Sequence, residues 1–438
     1  MRSQRYHGNT SSVNDHDVTG SQSSVEAQTV DRASGVLGND GVFTSTPATK
    51  RDKASVERYR VRENVLWHYS ALRPVRACGR CRIKQRGEDG KMVLASVSAV
   101  RTVRADGRVS ASFRGLQTCA SPWACPICAV KIREGKAREL GALAVAHEAA
   151  ARGVVDLLLT SSHSADWSLS EALARFKRAI GKFANGRPWR SFCSRWGVEG
   201  YVYAPDFTHG VNGWHVHAHG VWLLSAPLDA PAREAFGQEW LSLWKAACGK
   251  CGLGVPLKRF NETREVLGGH ALATYAVKAM RELTRTDAKH RFGAAGEAKP
   301  GGLSPWDLLY RFEATGDLDA LALWNEYELA TKRKHSVSFS DGARSLLAAY
   351  GVREATEQEL AAGKEEGTVE DVLNLAPDDV ATLHAVPGRS GWLLAFMRSG
   401  GTVSALAALV HWRLEDEGRE GPERRAAPSR GRSPAPPS

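Results

Sequence analysis

The stretch Gly213–Trp222, GWHVHAHGVW, sets three histidines at alternate positions inside a run that otherwise reads as apolar strand. Successive strand side chains point to opposite faces, so His215, His217 and His219 share one face, with Val216, Ala218 and Val221 assigned to the core. Just upstream, GYVYAPDFTHG (Gly200–Gly210) has the same character, and a turn around Val211 to Gly213 makes the two a hairpin. Three imidazoles on one face suit a divalent cation. Neighbours two positions apart can chelate one ion and leave positions open for water or phosphate oxygens. The competing reading is a solvated polar face, but strict alternation between Trp214 and Trp222 argues against it. Asp206 is either a carboxylate ligand beside these histidines or a turn residue. His209, nearer the turn, is expected in solvent.

Working outward, VVDLLLTSS (Val154–Ser162) has the length and apolar content of a buried strand. SLSEALARFKRAIGKFA follows as an amphipathic helix, with Ser168 at the N-cap and Glu171 at the capping-box position. DAPAREAFGQEWLSLWKAAC and GGHALATYAVKAMREL read as further helices, with the extended VPLKRFNETRE between them. This order predicts an α+β fold with a mainly antiparallel central sheet flanked by helices. SPWDLLYRFEATGDLDALALWNEYELATK reads as a capped helical pair that opens a separate or appended helical region.

Five of the eight cysteines fall in one block, residues 78 to 128, well ahead of the histidine strand. CGRC (Cys78, Cys81) and CASPWACPIC (Cys119, Cys125, Cys128) bracket a hairpin whose turn is the ADG of Ala105–Gly107. Two C-x-x-C knuckles around a hairpin resemble a zinc ribbon, each offering two thiolates to one closed tetrahedral Zn²⁺ site. Cys78, Cys81, Cys125 and Cys128 are the expected ligands, with Cys119 able to replace one. Cys248 and Cys251 read as a helix end and turn, and Cys193 as core. Absence of an apolar leader and of any apolar run near the ~20 residues of a membrane span leads to the expectation of a cytoplasmic protein with reduced thiols and no membrane partner. The 438 residues suffice for more than one core, and a net charge of +11 favours an acidic polymer as partner. Expected boundaries are a disordered arm (1–55), a cysteine-rich zinc module (56–140), a catalytic domain (141–300), a helical region (301–412) and a disordered basic tail (413–438).

Tyr275 and Lys278 in GGHALATYAVKAMREL share a helix face, and a phenol beside an ammonium near a metal suits nucleophilic attack on a phosphodiester. Alone, such a pair would be read as an ordinary core-edge residue and its neighbour; the histidine strand gives it weight. GYVYAPDFTHGVNGWHVHAHGVWLL, followed by ATYAVKAMREL and then SPWDLL, resembles the rolling-circle plasmid replication initiators of the HUH endonuclease superfamily, in the form found on actinomycete plasmids. The likeness spans roughly residues 75 to 350.

The resemblance implies that His217 and His219 hold catalytic Mn²⁺ or Mg²⁺ with His215 at the edge, and that Asp206 stands where relatives commonly carry a glutamate. It makes Tyr275 the nucleophile and Lys278 its partner, and puts Ala271 where some relatives place a water-activating glutamate. It further implies single-stranded or supercoiled plasmid origin DNA as substrate, with host helicase and DNA polymerase as partners. Conjugative relaxases and tyrosine-dependent transposases share the histidine motif, but a zinc block ahead and helices behind fit an initiator better. From another class, a zinc-ribbon DNA-binding regulator without nuclease activity would show salt-sensitive binding and no metal-dependent cleavage.

Overall fold

The computed structural model describes residues 35–37, 43–45, 49–104, 107–257, 263–265, 302–363 and 367–419. Strand β1 (Gly35–Leu37) pairs antiparallel with β2 (Phe43–Ser45). Helix α1 (Lys50–Val61) opens on a capping box between Thr49 and Asp52 and runs through a π-helical turn, Arg62–Leu66, into α2 (Trp67–Tyr69). α3 (Arg73–Ala77) ends at Cys78. Two hairpins follow, β3 (Lys84–Arg86) with β4 (Met92–Leu94) and β5 (Val97–Val103) with β6 (Val109–Arg114); Ala105 and Asp106 of the expected ADG turn lie outside the described residues.

The long α4 (Pro126–Ala149) leads to β7 (Gly153–Leu159), α5 (Leu169–Phe183) and α6 (Arg187–Trp196). Ser168 caps α5 by accepting from the Glu171 N–H, as expected, but the Glu171 carboxylate turns to Arg175. β8 (Val198–Gly210) and β9 (Gly213–Leu224) form the histidine hairpin, and α7 (Ala230–Lys250) follows, ending at Cys251. After β10 (Thr263–Glu265) come α8 (Pro305–Thr315), α9 (Leu318–Thr331), β11 (Ser338–Phe339), α10 (Asp341–Ala349) and α11 (Glu357–Ala362). β12 (Thr368–Leu375), α12 (Pro377–Ala385) and α13 (Arg389–Arg419) complete the described chain.

The central sheet has the order β10-β7-β9-β8-β11, every neighbouring pair antiparallel. Helices cover both faces, so the fold is α+β. One face packs Trp214, Val216, Ala218 and Trp222 against α5, α7 and α9, in a core that holds Phe176, Trp240, Trp244 and Trp324. The other packs Val202, Ala204, Val221 and Leu223 against Ala137 and Leu140 of α4 and Leu347 of α10. Val221 therefore lies on the histidine face, contrary to the assignment beside Val216 and Ala218. Period-two alternation puts odd-numbered residues of β9 together, and the half-buried histidine face becomes an apolar one at its far end. Burying side chains of this size contributes roughly 1.5–3 kcal/mol each.

The second sheet, β12-β5-β6, joins residues 97–114 to residues 368–375. Val97, Ala99 and Leu375 pack there against Leu393, Phe396, Leu409 and Trp412 of α13. The region expected as a separate helical appendage at 301–412 is instead shared between both sheets. β11 forms the edge beside β8, α8 and α9 fill the main core, and β12 pairs with β5. Strand pairing thus crosses the boundaries expected at 140 and 300. Among the described residues α13 is the one helix long and apolar enough to cross a membrane, but half of its apolar window is buried. Gly401 (φ 64°, ψ −152°) also breaks it in two.

Candidate metal centres

The hairpin register places Asp206 opposite His217, Ala204 opposite His219 and Thr208 opposite His215, so Asp206 faces the histidines and is not a turn residue. Its Oδ2 is 3.4 Å from His217 Nε2, and its Oδ1 accepts a 2.8 Å hydrogen bond from the Phe207 N–H. Ligand atoms of Asp206, His217 and His219 all lie within 4.8 Å of one another. The hairpin closes on Val211–Asn212, and Gly213 takes φ +74° where a Cβ would lie 2.8 Å from the Ala165 carbonyl oxygen. Glycine there both makes the turn and admits the neighbouring loop.

Burial pushes His217 down to about 4 and leaves its Nδ1 buried without a hydrogen-bond partner. At neutral pH its ring is uncharged and one ring nitrogen offers a lone pair, the form a metal requires. Burial raises the Asp206 carboxyl from its ordinary value, against the Phe207 N–H and the nearby charges of His219 and Arg133. A half-buried carboxylate held so, with two imidazoles and an orphaned ring nitrogen, gains from a divalent cation. The donor set fits one that accepts mixed nitrogen and oxygen ligands.

His215 stands at the edge. Its Nε2 is 3.1 Å from Thr160 Oγ1 and its Nδ1 3.3 Å from His163 Nδ1. Burial, reinforced by His217 and His163, lowers it to about 4. His163 was missed by sequence reading; the available signal was a histidine directly after the strand that pairs with β9 in SSHS. His209 is not in solvent. It is half-buried, its ring edge-on to Trp214 at 5.0 Å, and burial lowers its pKa. Tyr275, Lys278 and Ala271 lie outside the described residues.

The second centre is a cysteine cluster. Cys78, Cys119, Cys125 and Cys128 bring their sulfurs within 4.8 Å of one another, Cys78 at the end of α3 and Cys125 at the N-cap of α4. Cys78 Sγ is 3.7 Å from Cys125 Sγ and 3.6 Å from Cys128 Sγ. Tetrahedral thiolates at a Zn–S distance of about 2.3 Å would be separated by ~3.8 Å, so the cluster has the size of a Cys₄ zinc site.

Cys81, expected as a ligand, is exposed and outside the cluster. Its carbonyl accepts from Gln117 N–H at 2.8 Å while Gly79 N–H donates to Gln117 C=O at 2.7 Å. That pairing carries Cys119 next to Cys78, where its N–H donates to Cys78 Sγ, and turns Cys81 outward. Gly79 (φ +65°) leaves room for the buried Arg62 guanidinium, 2.1 Å from where a Cβ would stand. Cys248 is buried in α7 and Cys251 at its end, as expected for a helix terminus. Cys193 is half-buried against the core.

No family model matches the chain, and no solved structure matches it. The protein rep of Streptomyces lividans is 26% identical to it over 310 residues, covering 54% of this chain and 65% of that protein. The chain therefore spans about 65% of the length of that curated relative. The resemblance read from the histidine strand and this similarity point the same way: the chain is distantly similar to a protein rep.

Proposed function

We propose that the chain initiates rolling-circle replication of a plasmid by nicking one strand at the origin and transferring it through a tyrosyl ester. The observation that carries this reading is the convergence of Asp206, His217 and His219 on one half-buried face of the central sheet. Held there by these residues, with His215 at the edge, Mn²⁺ or Mg²⁺ would supply Lewis-acid polarisation of the scissile phosphate.

The remaining work falls to the chain's own groups. The Tyr275 phenolic oxygen bonds to phosphorus as the P–O3′ bond breaks. The tyrosyl proton is lost to a base and the departing 3′ oxygen takes one up, leaving a 5′-phosphotyrosyl enzyme and a 3′-OH that primes a polymerase. One phosphodiester replaces another, so bond energy is kept for later rejoining. A phenol ionises near pH 10, and the Lys278 ammonium three residues on favours the phenolate. The sheet fixes its ligands through backbone pairing on both sides of β9, which spares them reorganisation during reaction.

The Cys₄ cluster is proposed as a structural zinc site that joins α3 to α4. Origin DNA is the proposed substrate, host helicase and polymerase the partners, and the cytoplasm the location. The test incubates the protein and Mn²⁺ with supercoiled DNA carrying the gene's own flanking sequence, followed by a denaturing gel. A covalent protein–DNA adduct that Tyr275→Phe abolishes, with DNA binding retained, is expected. Adduct formation by Tyr275→Phe equal to that of the parent would refute the assignment. Binding with no adduct under any divalent metal would favour the regulator.

A further inference from the structure

Away from the histidine face, a groove of about 1060 Å³ opens between the end of the β5–β6 hairpin, α4 and the segment around α11. Arg104 and Arg108 line it from the hairpin, Lys131 and Arg138 from α4, and Arg353 from the approach to α11. Lys131, Glu134 and Arg138 occupy a different face of α4 from Ala137 and Leu140, which pack on the central sheet. Gly135 lets α11 approach, since a Cβ there would meet the Leu360 side chain at 2.4 Å.

Four carboxylates also line the groove, but three are committed. Glu139 holds the buried Lys136 ammonium at 2.9 Å and accepts from the Ala355 N–H. Glu359 caps Thr356 and pairs with Arg353 at 3.0 Å. Glu370 pairs with Arg101. Lys131, Arg138 and the fourth carboxylate, Glu134, make no ion pair or hydrogen bond among the described residues. Lys131 and Arg138 are two turns apart, a rise of ~10.5 Å, about three times the ~3.4 Å axial step between phosphates of one DNA strand.

We propose that this groove holds the phosphate backbone of duplex DNA, a binding site separate from the histidine face. The inference rests on the reading of the chain as acting on DNA. It assigns double-stranded flanking DNA to the α4 groove and the strand to be cut to the histidines on the other side of the helix. Arg104 and Arg108 line the same groove from the hairpin. Glu134, between Lys131 and Arg138, opposes binding and sets its strength.

The test uses the full chain and a fluorescent duplex from the DNA flanking its gene, titrated by anisotropy at several salt concentrations. Lys131→Ala with Arg138→Ala is expected to weaken duplex binding about tenfold and to reduce the slope of log K against log salt by about 2. Glu134→Gln is expected to tighten binding several-fold, a gain that misfolding cannot imitate. Both variants should keep adduct formation on single-stranded origin DNA. If neither affinity nor salt slope moves in either variant while the adduct still forms, the groove assignment fails and the proposed function stands. If the variants move duplex binding as expected but no DNA forms an adduct, the groove stands and the nicking reading falls.

Discussion

Serine substitution at Cys119 and at Cys81 separates two candidate zinc sets, because spacing favours Cys81 and the geometry favours Cys119. Structural zinc in small sites is bound with roughly 10–16 kcal/mol at neutral pH, or about 3 kcal/mol per thiolate for four ligands. At about 1.4 kcal/mol per decade, Cys119→Ser should weaken zinc binding by about two orders of magnitude. The loss should spread, since the cluster ties Cys78, behind α1 to α3, to the start of α4 in the main core. Cys81 is exposed and takes part through its backbone, which serine retains, so Cys81→Ser should change stability by less than about 0.5 kcal/mol. The assay is zinc content per chain after dialysis against a competing chelator, with thermal unfolding of the same samples. Cys119→Ser should lose metal and unfold at lower temperature, while Cys81→Ser should match the parent. Zinc lost from Cys81→Ser and kept by Cys119→Ser would refute the cluster and restore the two-knuckle ribbon.

Further expectations follow from the same packing. His217→Ala or His219→Ala should abolish Mn²⁺ binding at the histidine face, read by electron paramagnetic resonance, and Asp206→Asn should weaken it. Glu328 is fully buried, accepting from Ser70 Oγ and the Ala71 N–H, and burial pushes its carboxyl up to about 7. The folded state then holds a proton that the unfolded state releases near pH 4.5, so stability declines as pH rises from there through 7. Glu328→Gln should remove this dependence and raise the melting temperature at pH 8 relative to pH 5, by an effect on the order of 3 kcal/mol. Gly213→Ala places a side chain at φ +74° beside the Ala165 carbonyl oxygen. It should cost about 1–3 kcal/mol by denaturant titration and weaken Mn²⁺ binding with it.

What could be read in the sequence was whatever local chemistry repeats. The alternation of His215, His217 and His219, the Ser168 cap and the turn between Arg104 and Arg108 each concern residues a few positions apart, where strand pleat, cap geometry and turn type leave few alternatives. Even there a period had to be followed to its end: Val221 carries an odd number, so it lies on the histidine side of the sheet and packs against α4.

What could not be read was pairing over long stretches of chain. Cys119 displaces Cys81 because Gln117 pairs with the backbone at Gly79 and Cys81, a contact that leaves no trace in cysteine spacing. β12 completes the sheet begun by β5 some 270 residues earlier, and two residues of β11 suffice to edge the central sheet. The same long-range pairing gives the charged groove one of its walls, since Thr368 and Glu370 of β12 line it beside the hairpin, α4 and α11. The histidine face needs one hairpin and a neighbouring strand, whereas the groove is lined by segments that run from Val103 to Glu370. Charge substitutions in the groove and ligand substitutions on the hairpin should therefore be separable in every assay that measures duplex binding apart from cleavage.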